Sequence, residues 1–90
     1  MVLFITDIHL VGGRGHEHIG SMKWRNPNSG ETGQSQTVEL ASWVETAGNE
    51  ARVASGMGYV QVGVVKGTSP YLRTYANGQW TDNLLNLPKY

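Results

Sequence analysis

Three histidines are the residues whose type and spacing best suit a chemical role. His9 lies near the end of the first apolar stretch, and His16 and His18 follow the glycine-rich residues 12–15. If this segment makes a tight turn between two antiparallel strands, His18 lies directly opposite His9, and His16 lies two residues away on the same face. Three converging imidazoles suit Zn²⁺ with an open fourth position. The alternative is a solvated sheet face with pH-sensitive histidines.

A second set of residues suits binding. Tyr71, Arg73 and Tyr75 share one face of a strand by their period-two spacing, and Trp24 stands beside Arg25 earlier in the chain. Aromatic side chains next to arginine are typical of protein interfaces, and they also stack on nucleic-acid bases. The sum of Lys and Arg, seven, equals the sum of Asp and Glu, so the net charge is zero. Phosphate-driven affinity needs uncompensated cations, so a protein partner is favoured over nucleic acid.

Residue patterns typical of catalysis are absent from the sequence. There is no cysteine, no serine in a nucleophile-elbow context, and no pairing of carboxylates that general acid–base chemistry would need. The glycines at positions 12, 13, 15 and 20 lack the spacing of a dinucleotide-binding loop. We therefore expect a protein that is not an enzyme and that holds no cofactor, apart from the zinc hypothesis.

The elements that position these residues begin with a β-hairpin. Residues 2–11 alternate in hydropathy, which predicts a strand, and residues 16–25 predict its antiparallel partner across the glycine-rich turn. A short third strand near residues 32–35 follows a dense turn signal at residues 26–30. The strand prediction places Asp7 and His9 on one face. Four apolar side chains lie on the opposite face: Val2, Phe4, Ile8 and Leu10.

One helix is predicted over residues 38–47. Thr37 can cap its first amide groups, and Gly48 with Asn49 provides the stop. An apolar stripe at i, i+3, i+4 and i+7 faces the sheet, and Trp43 is its largest member. The stripe comprises Leu40, Trp43, Val44 and Ala47.

The second half of the chain predicts a β-meander. Strands are expected at residues 51–54, 59–66, 71–76 and 79–81, with Val60, Val62 and Val64 pointing inward. The Asn77-Gly78 pair is a strong hairpin signal. Asp82 can cap a final turn, and Leu87 before Pro88 closes the core.

These elements predict one α+β domain spanning residues 1–90. We expect about five to six of these segments to form a small twisted antiparallel sheet, in the order β-β-(β)-α-β-β-β, packed on one helix. No apolar run reaches membrane-spanning length, and the apolar start of the chain has the pattern of a strand rather than of a signal peptide, so we expect no membrane association. The expected location is the cytoplasm, or the virion if the gene is phage-encoded.

Two C-terminal stretches resemble a known family. The most specific stretches are Tyr71-Leu72-Arg73-Thr74-Tyr75-Ala76-Asn77-Gly78 and Asn83-Leu84-Leu85-Asn86-Leu87-Pro88. Together with Ile5-Thr6-Asp7-Ile8 and Trp43-Val44-Glu45, they are similar to the domain of unknown function 3892. The resemblance implies a compact α+β module of bacterial or phage origin and brings no catalytic residues. The glycine- and histidine-rich loop suggests an actinobacterial or actinobacteriophage branch of that family.

The sequence therefore predicts a non-enzymatic protein-interaction or assembly module that binds another protein or copies of itself. A phage virion component and a host-directed accessory protein are both consistent with this interpretation. A nucleic-acid-binding regulator is the alternative, and a metal-binding protein is the third possibility.

Overall fold

The computed structural model describes residues 1–56, 58–67 and 70–90. In these ranges, seven strands form one sheet that packs on one α-helix, so the α+β class is confirmed, whereas the predicted count of five to six strands is too low. The elements are β1 Val2–Leu10, β2 Ile19–Arg25, β3 Thr32–Gln36, α1 Thr37–Glu45, β4 Glu50–Ser55, β5 Gly58–Val65, β6 Tyr71–Ala76 and β7 Gln79–Thr81. Met57, Thr68 and Ser69, which belong to two predicted turns, lie outside the described residues.

The sheet is mixed, which corrects the prediction of a purely antiparallel one. Its strand order is β3-β2-β1-β4-β5-β6-β7, and β1 pairs with β4 in parallel. Hairpin signals in the sequence predict pairing only between strands that are neighbours along the chain. The direction of β4 is instead set by α1, because a crossover helix returns the chain to the same end of the sheet.

A bulge in β1 changes which side chains face the core. The pairing of β1 with β2 shifts between Ile5 and Asp7, and buried residues stand on both sides of the shift at Leu3, Ile5 and Ile8. An extra residue reverses the alternation of faces. The prediction that Phe4 shares the core face with Ile8 is therefore wrong, and Phe4 lies on the outer face.

The first hairpin has a longer connection than predicted. Residues His16–His18 form one turn of 3₁₀ helix rather than the start of β2. The register then pairs Leu10 with Ile19 and His9 with Ser21. The prediction that His18 lies opposite His9 is wrong, because the glycine-rich segment makes a wide loop rather than a tight turn.

The helix begins and ends slightly earlier than predicted. Gln36 occupies the N-cap position, and its backbone amide donates to Glu39 Oε1 at 3.2 Å. The expected cap, Thr37, is buried and donates its hydroxyl proton to the Ile19 carbonyl oxygen at 2.6 Å, which attaches the helix to β2. Gly48 has a φ of 87°, as its predicted role as the stop requires.

The helix packs on the inner face of the sheet. Leu40 and Ala41 are buried, whereas Trp43, the predicted core anchor, is only partly buried against the core, and Ala47 is exposed. Eleven buried residues of the described ranges form this core: Ile5, Ile8, Ile19, Met22, Leu40, Ala41, Ala51, Val53, Val62, Leu72 and Leu84. Of the valines predicted to point inward from β5, Val62 is fully buried and the other two are intermediate.

The C-terminal segment closes the core through a different leucine from the one predicted. Leu84 is fully buried, whereas Leu87 is only partly buried against the core. Asp82, the predicted cap, accepts a hydrogen bond from Arg73. After Pro88, a single bridge joins Lys89 to Ile8, beyond the part of β1 that pairs with β4.

The turn between β6 and β7 offers a test of the second half of the sheet. Asn77 and Gly78 have φ angles of 54° and 79°, as a type I′ turn requires. We expect Gly78→Ala to lower the free energy of unfolding by about 1 kcal/mol, because a Cβ disfavours positive φ. Urea titration followed by circular dichroism measures this change.

Gly58→Ala is the matched control, since a Cβ there meets nothing within 4 Å and Gly58 is not among the positive-φ glycines. Equal stability of the two variants would contradict the assigned turn.

Among the residues that the structure describes, no helix has the length and apolar character needed to cross a bilayer.

Candidate functional site: the outer face of the sheet

A single cross-strand row runs over the outer face of the sheet, opposite α1. Strand pairing places its members directly side by side: Arg25 with Phe4, Phe4 with Arg52, Arg52 with Gln61, Gln61 with Tyr75, and Tyr75 with Trp80. Directly opposed residues share one face of a sheet, so aromatic, arginine and glutamine side chains from six strands lie on one surface. We call Arg25, Phe4, Arg52, Gln61, Tyr75 and Trp80 the outer row.

The end of the outer row at β6 and β7 is an exposed aromatic pair. Tyr75 and Trp80 are 43% and 41% exposed, and their rings meet edge to face at 5.1 Å between centroids. The indole lies over Gly63, where a Cβ would stand 3.3 Å from the ring. Glycine therefore lets Trp80 lie close to the backbone of β5. The three residues line an open hollow of about 310 Å³.

The middle of the outer row is held by stacking. The Arg52 guanidinium lies 4.0 Å from the ring centroid of Tyr59, which is 50% exposed beside the row. Phe4 meets Tyr59 edge to face at 6.3 Å, and the Arg25 guanidinium stands 5.7 Å from the Phe4 ring. Arg52 Nε donates a hydrogen bond to Glu50 Oε2 within an ion pair, and this hydrogen bond raises the pKa of Arg52. These contacts fix the side chains before any partner arrives.

Arg73 lies next to the outer row, as its spacing from Tyr75 predicts. Its Nε donates to the Thr81 carbonyl oxygen at 3.0 Å, and its Nη2 donates to Asp82 Oδ1 at 2.9 Å. The guanidinium is thus committed to groups of its own chain. Tyr71 is partly buried, with its ring 6.4 Å from that of His16.

Trp24 departs from its predicted place. The sequence prediction puts Trp24 and Arg25 in one binding surface, but neighbouring residues of a strand face opposite ways. Arg25 lies in the outer row, whereas Trp24 packs against the core and donates its indole proton to Ser35 Oγ at 3.1 Å.

The three histidines lie in three different environments. His9 Nδ1 contacts the carbonyl oxygen of Tyr90, and His18 Nδ1 accepts a hydrogen bond from the amide of Gly15 at 3.2 Å. His16 is buried beside Tyr71. Within the described ranges, no three His, Cys, Asp or Glu side chains are grouped as metal ligands. The register behind the zinc hypothesis is wrong, and zinc binding itself stays a prediction for metal analysis of tag-free protein.

His16 has an unusual electrostatic position. Its Nε2 is buried without a hydrogen-bond partner and stands 3.5 Å from Asp82 Oδ1. Burial lowers the pKa of His16, and the charge of Arg73 lowers it further, while the carboxylates of Asp82 and Glu17 oppose the shift. Burial is the largest of these influences, so the net shift is downward. His16 is therefore neutral in the fold at neutral pH.

A pH-dependent stability follows from His16. Because its pKa is lowered on folding, the unfolded chain binds more protons as the pH falls below about 6.5, and folding loses free energy until the pH passes the folded pKa. We expect His16→Gln to flatten the dependence of the melting temperature on pH between about 7 and 5. Equal slopes in wild-type protein and His16→Gln would contradict this assignment.

Sequence reasoning missed Phe4, Arg52, Tyr59 and Trp80 as members of this surface. Trp80 could have been predicted from the sequence, because a two-residue turn at Asn77-Gly78 places Tyr75 opposite Trp80. Arg52 and Phe4 could not have been predicted, since their side-by-side position depends on the parallel pairing of β1 with β4 and on the bulge.

The comparison with known families identifies the chain. The profile of a family described as a protein of unknown function, DUF3892, matches residues 4–88. The chain belongs to the DUF3892 family. This confirms the resemblance carried by the two C-terminal stretches, and the matched range contains the whole outer row. No curated protein and no solved structure matches the chain.

Proposed function

We propose that this DUF3892 protein is a non-enzymatic interaction module that binds another protein, or a second copy of itself, through the outer row. The observation that supports this most is the exposed pair Tyr75 and Trp80, with Trp80 packed over Gly63, at one end of a row that crosses six strands. Large aromatic side chains in solvent, already ordered by their neighbours, are the residues that contribute most to binding in protein interfaces.

The charges on the outer face favour a protein partner over nucleic acid. Of the three arginines there, Arg52 is paired with Glu50 and Arg73 with Asp82. Nucleic-acid affinity grows with the number of phosphates that are neutralised, and paired arginines contribute little to that number. Arginine beside Tyr and Trp, with most of the charge compensated, is instead the composition of a protein–protein contact.

The setting of this interaction is part of the proposal. If the gene is phage-encoded, the module is a virion component or a host-directed accessory protein. In an actinobacterial cell, it is a cytoplasmic assembly protein.

Sedimentation equilibrium over a range of protein concentrations tests self-association. Affinity capture on immobilised protein, with extract of the native cell, tests for another partner. We expect one of the two to give a complex that disappears when Tyr75 and Trp80 are both changed to serine. A strictly monomeric protein that captures the same material with and without these two side chains would refute the proposal.

A nucleic-acid-binding regulator is the alternative, favoured by the stacking surfaces of Tyr75, Trp80 and Phe4 beside Arg25. It predicts a mobility shift with single-stranded DNA or RNA at low salt that Arg25→Ala weakens. No shift at low salt would exclude it.

A further inference from the structure

A second concave surface lies on the side of the sheet that faces the helix. It is a cleft of about 250 Å³ between the first strands and α1, lined by two tryptophans, two leucines and two glutamates. The leucines, Leu3 and Leu40, are 5% and 3% exposed, so they form part of the core beneath the cleft. The indoles of Trp24 and Trp43 are partly buried against that core.

The two glutamates that line the cleft have no ion-pair partner among the described residues. Glu31 and Glu39 take part in none of the ion pairs of the described residues, which involve Glu17, Glu45, Glu50 and Asp82 instead. The remaining acid, Asp7, has Lys23 as its cross-strand neighbour. In the part of the chain that the structure describes, no lysine, arginine or histidine lines the cleft. Met1 also lines it, and its amino group donates to the Gly48 carbonyl oxygen and pairs with neither glutamate, so two carboxylates stand against one ammonium.

The Trp24 ring is held in place before any ligand binds. Its Nε1 donates to Ser35 Oγ at 3.1 Å, and its ring lies so close to Gly33 that a Cβ there would stand 2.3 Å from Cζ2. Only glycine in β3 allows this approach. On the helix, Trp43 stands one turn after Glu39, so the second indole and a carboxylate lie on the same side of α1.

We propose that this cleft binds an alkylated ammonium group. Tryptophan is the aromatic side chain that attracts organic cations most strongly, and two carboxylates without a basic partner supply the complementary charge. A bare divalent ion is disfavoured, because the mainly apolar lining offers too few oxygen ligands to replace its hydration shell. The volume is below the roughly 300–1,000 Å³ of sites for drug-sized ligands, so the ligand is a small head group. The site is independent of the outer row.

Choline and its neutral carbon analogue 3,3-dimethylbutanol provide the test. In a ¹H–¹⁵N spectrum of the whole protein, the three tryptophans give three indole N–H signals, and Trp80 on the outer face is an internal reference. We expect choline to shift the signals of Trp24 and Trp43 but not that of Trp80. The neutral analogue should bind about tenfold more weakly, because it lacks the charge. Equal affinity for the two probes, or no shift with choline, would overturn the proposal.

Charge-neutral variants locate the carboxylates. We expect Glu31→Gln and Glu39→Gln each to weaken choline binding about fivefold. In Glu39→Gln, the amide oxygen that replaces the carboxylate can still accept the hydrogen bond at the helix start. Glu45→Gln is the control on the same helix, where the carboxylate pairs with Lys66 at 3.2 Å, and it should bind choline as the wild type does. Wild-type affinity in both cleft variants would overturn the proposal.

The affinity of a peptide with one trimethyllysine, compared with that of choline, distinguishes the source of the ligand, and the same peptide with unmodified lysine is the control for the other contacts of the peptide. Tighter binding of the trimethylated peptide than of choline assigns the site to a side chain of a partner protein. Equal or weaker binding assigns it to a free small molecule, and both results support an ammonium site.

Discussion

Replacement of Leu84 by alanine is expected to lower the free energy of unfolding by about 3 kcal/mol. Leu84 has no exposed surface and lies in the segment after β7, where it packs into the core shared by the sheet and α1. A deeply buried leucine loses both its transfer free energy and its contacts when it is truncated, and the cavity remains because its neighbours belong to a paired sheet. For a domain of this size, such a loss is a large share of the total stability.

Leu87→Ala is the matched control, with the same change three residues later. Leu87 is only partly buried, so we expect less than half of the effect. Urea denaturation of both variants gives the two free energies. An equal loss at the two positions, or a larger one at Leu87, would contradict the assignment of Leu84 as the residue that closes the core.

Replacement of Trp80 by alanine is expected to weaken partner binding, or self-association, about 30-fold or more. This corresponds to the roughly 2 kcal/mol that defines a dominant interface residue. The indole is 41% exposed, packs on Tyr75 and lies over Gly63, so it presents a rigid apolar surface to a partner. Stability should change much less than affinity, because β7 is a short edge strand of three residues.

Val38→Ala is the control for this prediction. Val38 is 69% exposed on α1, away from the outer row, and its truncation should leave the affinity unchanged. If Val38→Ala weakened binding as much as Trp80→Ala, the helix side rather than the outer row would be the contact surface.

Local signals in the sequence predicted much of the fold. The Asn77-Gly78 turn and the two strands around it are confirmed, because both residues tolerate positive φ and a two-residue loop permits only one register. The helix was found from its apolar stripe and the Gly48 stop, although its cap was assigned to the wrong residue. Thr37 is buried against Ile19, a contact between distant segments that cap preferences do not predict.

The errors have non-local causes. The bulge after Ile5 and the parallel pairing of β1 with β4 depend on how the whole sheet assembles. The local hydropathy pattern therefore predicts neither of them. Tyr75 and Arg25 are exposed on their strands and Arg73 is half-buried, yet the outer row became visible only with the strand order. The predicted register of the three histidines is wrong because it required a tight turn, whereas the chain makes a wide loop with a 3₁₀ turn.

The most direct test of the outer row as the interaction surface is site-specific photo-crosslinking in the native cell. A photo-reactive phenylalanine analogue is placed at position 80 in one variant and at position 38 in another. We predict a defined adduct, to a second copy of the chain or to one partner protein, from position 80 and none from position 38. Adducts from position 38 alone, or the same adducts from both positions, would contradict the account.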